Sequence, residues 1–102
     1  WAGNYSVHEV DIVKDPLPPS LLARGVAAAN LDVDSYEATL AALQKVGPHV
    51  KVGGIMRLDD TVTTPSLIGS TLAMDDFLKE MASTGLKFVK FMSDAHYLIR
   101  VQ

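Results

Sequence analysis

The chain contains no cysteine. Disulfides, thiolate nucleophiles, zinc–thiolate centres and iron–sulfur ligation are therefore excluded together. Aromatic residues are few, with one Trp, three Tyr and three Phe in 102 residues, so aliphatic side chains and alanine have to fill most of the core. No apolar run approaches the ~20 residues of a membrane-spanning helix, and no basic amphipathic helix offers a surface anchor. Clustered cations are missing too: nine Lys+Arg stand against twelve Asp+Glu, a net charge of −3. Nucleic-acid affinity rests on cations gathered against phosphates, so neither nucleic acid nor membrane is an expected partner.

What is present is the composition of a folded domain, 48% hydrophobic and 21% charged. The length suits one domain spanning 1–102. The chain opens on Trp1 and not Met, which suits a processed product or a fragment, cytoplasmic or secreted after processing. Asn4-Tyr5-Ser6 matches the N-glycosylation sequon, a pattern frequent by chance.

Residues 1–13 alternate weakly, with Val10 and Ile12 on one face and Tyr5, Val7 and Val13 on the other, and predict an N-terminal strand. Residues 14–19 hold Pro16, Pro18 and Pro19 and predict a stiff extended connector. The main body, 20–102, follows. Its first stretch, up to Asn30 as a left-handed stop, suggests a short helix, with Gly25 a weak point. A second helix is capped by Asp34 with Glu37 three residues on, carries Tyr36, Leu40 and Leu43 on one stripe, and closes at Gly47-Pro48. "HVKVGGIMRL" reads as a strand bent or bulged at Gly53-Gly54. Thr64 could cap one helical turn from Pro65 to Gly69. Met74, Phe77, Leu78 and Met81 then mark a helix with Asp75 and Asp76 at its start and Gly85 at its end. Residues 86–102 form a C-terminal hairpin.

This order predicts an α+β two-layer sandwich: an antiparallel or mixed sheet of about four to five strands with two or three helices on one face. A ferredoxin-like plait is the nearest familiar architecture. In the hairpin neither strand has a wholly polar face, so both faces should be covered. Val89, Phe91, Leu98, Ile99 and Val101 are therefore candidate interface residues.

Local chemistry is sparse. Asn30, Asp32 and Asp34 alternate like the oxygen ligands of an EF-hand, but that loop needs Gly and Glu where Ser35 and Ala41 stand. His8, His49 and His96 have no partner at metal-ligand spacing. No serine sits in a G-x-S-x-G elbow. Asp59-Asp60 belongs to a turn and Asp75-Asp76 to a helix start. "KVGGIMR" could hold an anion, through amides exposed at Gly53 and Gly54 between Lys51 and Arg57, although a phosphate loop should run into a helix. No metal and no cofactor is implied.

The segment "SLIGSTLAMDDFLKEMAS", followed by two strands, resembles the C-terminal part of the small coupling proteins of bacterial diiron monooxygenases. The resemblance covers less than a third of the chain, and Ser70 stands where that family commonly has arginine. It implies a cofactor-free accessory subunit.

The function expected from these features is a noncatalytic protein–protein association module, a structural or regulatory subunit that binds itself or a larger protein. The alternative is a ligand-binding or enzymatic domain with a nonlocal site between sheet and helices. Met56, Phe88 and Tyr97 would line it, with His49, Lys51, Gly53, Gly54, Arg57 and His96 as its polar or backbone groups. A secreted effector or toxin is a third class.

Overall fold

A computed structural model describes residues 6–33, 35–59 and 68–102. Within them lie a four-stranded mixed sheet and three helices, an α+β fold. Helix α1 (Pro19–Leu22) is followed by strand β1 (Val26–Leu31), helix α2 (Tyr36–Val46), a 3₁₀ turn (Gly47–His49) and strand β2 (Val50–Leu58). Helix α3 (Ile68–Ser83) leads to the hairpin of β3 (Phe88–Met92) and β4 (His96–Arg100). The sheet order is β1-β2-β4-β3, with β1 and β2 parallel and both pairings of β4 antiparallel.

Helices α2 and α3 pack on one face of this sheet. Leu43 from α2 and Met74, Phe77 and Met81 from α3 meet Val50, Met56, Leu58 and Leu98 of the strands. The 3.6-residue period of each helix thus meets the two-residue period of β2 and β4 on one side only. The helices are pinned to each other by Tyr36 Oη donating to Asp76 Oδ2 at 2.6 Å and by Gln44 Nε2 donating to Glu80 Oε2 at 2.9 Å. Between them the buried hydroxyls of Thr39 and Ser70 are 3.1 Å apart. Gly47 lies so close to the Phe77 ring that a Cβ would fall 2.7 Å from Cε1.

Both helix ends have local causes. Ser35 caps α2, its Oγ accepting from the Ala38 amide at 3.1 Å. Asp34, the expected cap, lies outside the described residues. Helix α3 ends in a Schellman motif: Leu86 N–H reaches Met81 O at 3.0 Å and Gly85 N–H reaches Ala82 O at 3.2 Å, with Gly85 at φ 86°.

Four local expectations are corrected. Residues 6–13 are not strand. Asp11 turns the chain there, its Oδ1 accepting from the amides of Val13 and Lys14 while its carbonyl accepts from Asp15. Lys45 Nζ, donating to the carbonyls of Ile12 and Asp15, ties this turn to α2. The helix expected up to Asn30 stops after one turn, because Gly25 takes φ 78° and Val26–Leu31 pairs with β2 instead. Tertiary pairing there overrides the helical preference of three consecutive alanines. Finally, α3 begins at Ile68, so Gly69 is helical and Asp75 and Asp76 sit in mid-helix, where they bond Lys90 and Tyr36. The cap expected at Thr64 and the start of its turn at Pro65 lie outside the described residues.

The glycine pair in β2 behaves as the sequence implies. Val26 pairs with Val50 but Ala28 with Ile55, so the extra residues of β2 bulge out around Gly53, at φ 86°. A Cβ on Gly54 would lie 2.8 Å from the carbonyl of Lys51.

Candidate functional site

Strand β3 runs in the same direction as β1 and β2, since both β2 and β3 oppose β4. The carboxyl ends of three strands therefore share one end of the sheet, with the β3–β4 turn. Asp32 and Asp59 immediately follow the paired residues Leu31 and Leu58, and the Asp59 amide donates to Leu31 O at 3.0 Å. In open α/β sheets, ligands bind in the crevice beyond such strand ends.

Arg57 organises this end. Its Nη1 donates to Asn30 Oδ1 at 3.1 Å, its Nη2 to Asp94 Oδ2 at 3.2 Å, and its Nε to Tyr97 Oη at 3.3 Å. Nη2 also lies 3.3 Å from Asp59 Oδ1. Tyr97 Oη in turn donates to Asp94 Oδ1 at 2.6 Å, and its ring stacks on Phe91 with centroids 4.8 Å apart. The hydrogen bond from Tyr97, then that from Arg57, holds the Asp94 carboxyl below the usual carboxylate range. Tyr97 and Asp94 likewise hold the guanidinium charged. One fixed cation thus joins β1, β2, β4 and the turn, and it orients the Asp59 carboxylate at the end of β2. Beside it, on the sheet face away from α2 and α3, Ala28, Asn30, Ile55, Arg57 and Tyr97 line a cleft of about 320 Å³.

The residues singled out from sequence are dispersed. Arg57 is at the centre of the network. His96 is also at this end but is buried on the helix side, 8% exposed, and burial followed by Lys90 lowers its pKa, with Asp75 opposing. His49 and Lys51 are exposed at the opposite end of β2, and Gly53 and Gly54 form its bulge. The expected anion site is therefore not assembled: the glycines run on into strand, and Arg57 lies toward the other end of β2 with its own partners. Among the described residues no cluster of three or more His, Asp or Glu could hold a metal ion. No described helix is long and apolar enough to cross a membrane.

Of the candidate interface residues, Val89, Phe91 and Val101 are exposed and Ile99 is half-buried on the face away from the helices. Leu98 faces the opposite way and is fully buried in the core. The sequence reading passed over Asn30, Asp32, Asp59 and Asp94 as members of one site. A signal was available, since Leu-Asp recurs at Leu31-Asp32 and Leu58-Asp59, each at the end of an apolar run.

No family model matches the chain, and no curated protein does. Solved structures do. The O-methyltransferase NovP superposes with a TM-score of 0.61 at 24% identity, over 78% of this chain and 31% of that one. Apo CalS11, a TDP-rhamnose 3'-O-methyltransferase of calicheamicin biosynthesis, superposes with a TM-score of 0.61 at 27% identity, over 89% of this chain and 39% of that one. A second CalS11 structure gives a TM-score of 0.55 at 28% identity. The chain thus spans roughly a third of the length of these proteins, 31% to 39%. These likenesses overturn the expectation of a noncatalytic association module, and with it the accessory-subunit reading: the fold is shared with part of two O-methyltransferases.

Proposed function

We propose that the chain is part of a small-molecule O-methyltransferase and supplies the acceptor side of its site. The observation that carries this reading is the fold likeness to NovP and CalS11, obtained over 78% to 89% of the chain. The strand-end geometry supports it, because the acidic groups stand where an α/β sheet receives ligands.

O-methylation forms a bond between an acceptor oxygen and a methyl carbon while the bond from that carbon to its leaving group breaks. The hydroxyl proton must go to a base. In this reading Asp59, held 3.3 Å from Arg57, takes it, with Asp32 at the neighbouring strand end. A methyl donor supplies the electrophilic carbon. The described glycines do not build a nucleotide cradle for such a donor, since Gly53-Gly54 continues into strand and not into a helix. The acceptor class that CalS11 suggests is a hydroxyl on a sugar.

The test is incubation with a sulfonium methyl donor and a panel of sugar and phenol acceptors, read by mass spectrometry as the gain of one methylene. The chain is assayed alone and carried in the frame of CalS11 in place of the segment it matches. Transfer that falls about 100-fold or more in Asp59→Asn, with the circular dichroism unchanged, is the expected result. No transfer in either setting removes the reading.

A further inference from the structure

Asp32 and Asp59 each leave the sheet toward a helix: Asp32 leads through Val33 to α2, and Asp59 leads on to α3. The two helices meet again at their first turns. A Cβ on Gly69 would lie 3.1 Å from the Tyr36 nitrogen and 3.3 Å from the Tyr36 Cβ, so these turns touch backbone to backbone. Ser70 follows Gly69 in α3, and Thr39 stands in the first turn of α2.

The hydroxyls of Thr39 and Ser70 are 3.1 Å apart, and each residue is only 1% exposed. Both also lie 3.4 Å from one acceptor, the carbonyl of Val33. That carbonyl follows Asp32 by one residue and belongs to no regular element. The β1–β2 register ends at Leu31 and Leu58, while the Thr39 amide bonds Ser35 O at the start of α2. A half-buried carbonyl outside ladder and helix needs other donors. Helices α2 and α3 each send it one.

Packing alone does not ask for hydroxyls there. A buried hydroxyl costs free energy unless it is bonded, and both helices also carry a small apolar residue at a buried position, Ala42 and Ala73. We infer that Thr39 and Ser70 are positioning residues of the strand-end site: from two helices they hold the Val33 carbonyl, and so fix Asp32 against Asp59. The Asp59 amide, bonded to Leu31 O at 3.0 Å, closes the same arrangement from the sheet side. Neither hydroxyl reaches solvent, so neither handles the proton itself. Their effect is on placement, where a shift of about 1 Å in a site costs on the order of 100-fold in rate.

The catalytic consequence rests on the methyltransferase reading; the clamp on the Val33 carbonyl does not. Thr39→Val keeps the shape of the side chain and removes the hydroxyl, whereas Thr39→Ser keeps the hydroxyl. Amide exchange of the chain is followed at Asp59, at the sheet end, and at Met56 in the core. Methyl transfer is measured in the setting where the parent is active. Thr39→Val should speed exchange at Asp59 about tenfold or more. It should also lower kcat about tenfold while the acceptor KM stays within about twofold. Thr39→Ser should restore both. A loss of stability alone would speed Met56 and leave Asp59 and kcat unmoved, and that pattern overturns the inference. Faster exchange at Asp59 with kcat unchanged overturns it as well. Ser70→Ala removes the other hydroxyl and is read in the same way where Thr39→Val does not fold. If the parent transfers no methyl group in any setting, the methyltransferase reading falls, and exchange at Asp59 alone decides whether the clamp holds.

Discussion

The two faces of the sheet are made from the same strands, yet they differ in almost every physical respect. On the helix face, Met56, Leu58 and Leu98 are excluded from water by Leu43, Met74 and Phe77. On the other face their sequence neighbours Ile55, Arg57, Tyr97 and Ile99 stay partly in contact with solvent, and Val89 and Phe91 more so. Burial is worth about 25 cal/mol per Å² of apolar surface, so the helix face supplies most of what holds this chain together. The open face carries the polar network instead. Stability and chemistry are separated by the alternation of a β-strand, one residue apart.

That separation can be broken most sharply at two adjacent residues. Leu98→Asp puts a carboxylate against Met56 and the helices with nothing to pair it, and should cost about 4 kcal/mol or more. Ile99→Asp points to the open face and should change stability by only about 1 kcal/mol or less. Urea unfolding of both variants decides it. Equal, large losses would mean that the open face is as well covered as the other, and the contrast between them would be lost.

A smaller effect lies within the covered face. Thr39 and Ser70 join α2 to α3 through buried hydroxyls, and both also lie 3.4 Å from the carbonyl of Val33. Removing one hydroxyl leaves the other with only its 3.4 Å contact to the Val33 carbonyl, so Thr39→Val alone or Ser70→Ala alone should cost about 1–3 kcal/mol. The double variant removes both groups and should cost less than the sum. Strict additivity in the cycle would show that the two hydroxyls do not act as a pair.

The covered face was largely legible in the sequence. Leu40 and Leu43, the series Met74, Phe77 and Met81, the stop at Gly85 and the hairpin 86–102 all follow from period and end signals, whereas Tyr36 of the same stripe stays 42% exposed and bonds Asp76. The bulge at Gly53-Gly54 did too. Strand β1 did not, because three alanines carry no pattern and their neighbour Gly25 suggests a weak helix where it is a break. Its strand character comes from pairing with β2, which is nonlocal. The site was illegible for the same reason. Asn30, Arg57, Asp59, Asp94 and Tyr97 are spread over 68 positions of sequence, 30–97, and only the sheet order brings them to one guanidinium. The doubly covered hairpin was expected from its apolar faces, but one of those faces is open within the described residues.

The smallest effect distinguishes the faces by pH. His96 is buried on the helix side, near the Lys90–Asp75 ion pair of 3.1 Å, and burial together with Lys90 lowers its pKa from the ordinary 6.5 while Asp75 acts against them. Asp94 is on the open side, and Tyr97 and Arg57 lower its pKa from the ordinary 3.8. Both groups make the unfolded chain bind protons more readily than the folded one, so both make stability fall as the solution is acidified. Their windows do not overlap at the upper end. His96 begins to act as pH drops through 6.5, whereas Asp94 begins only near 3.8. Between about pH 7.5 and about pH 5, a His96→Gln variant should therefore lose part of the fall in urea midpoint seen in the parent, while Asp94→Asn should follow the parent's slope. The opposite assignment, with Asp94→Asn flattening the curve in that range and His96→Gln leaving it unchanged, would place the acid-sensitive group on the open face and contradict the burial that sets the histidine apart.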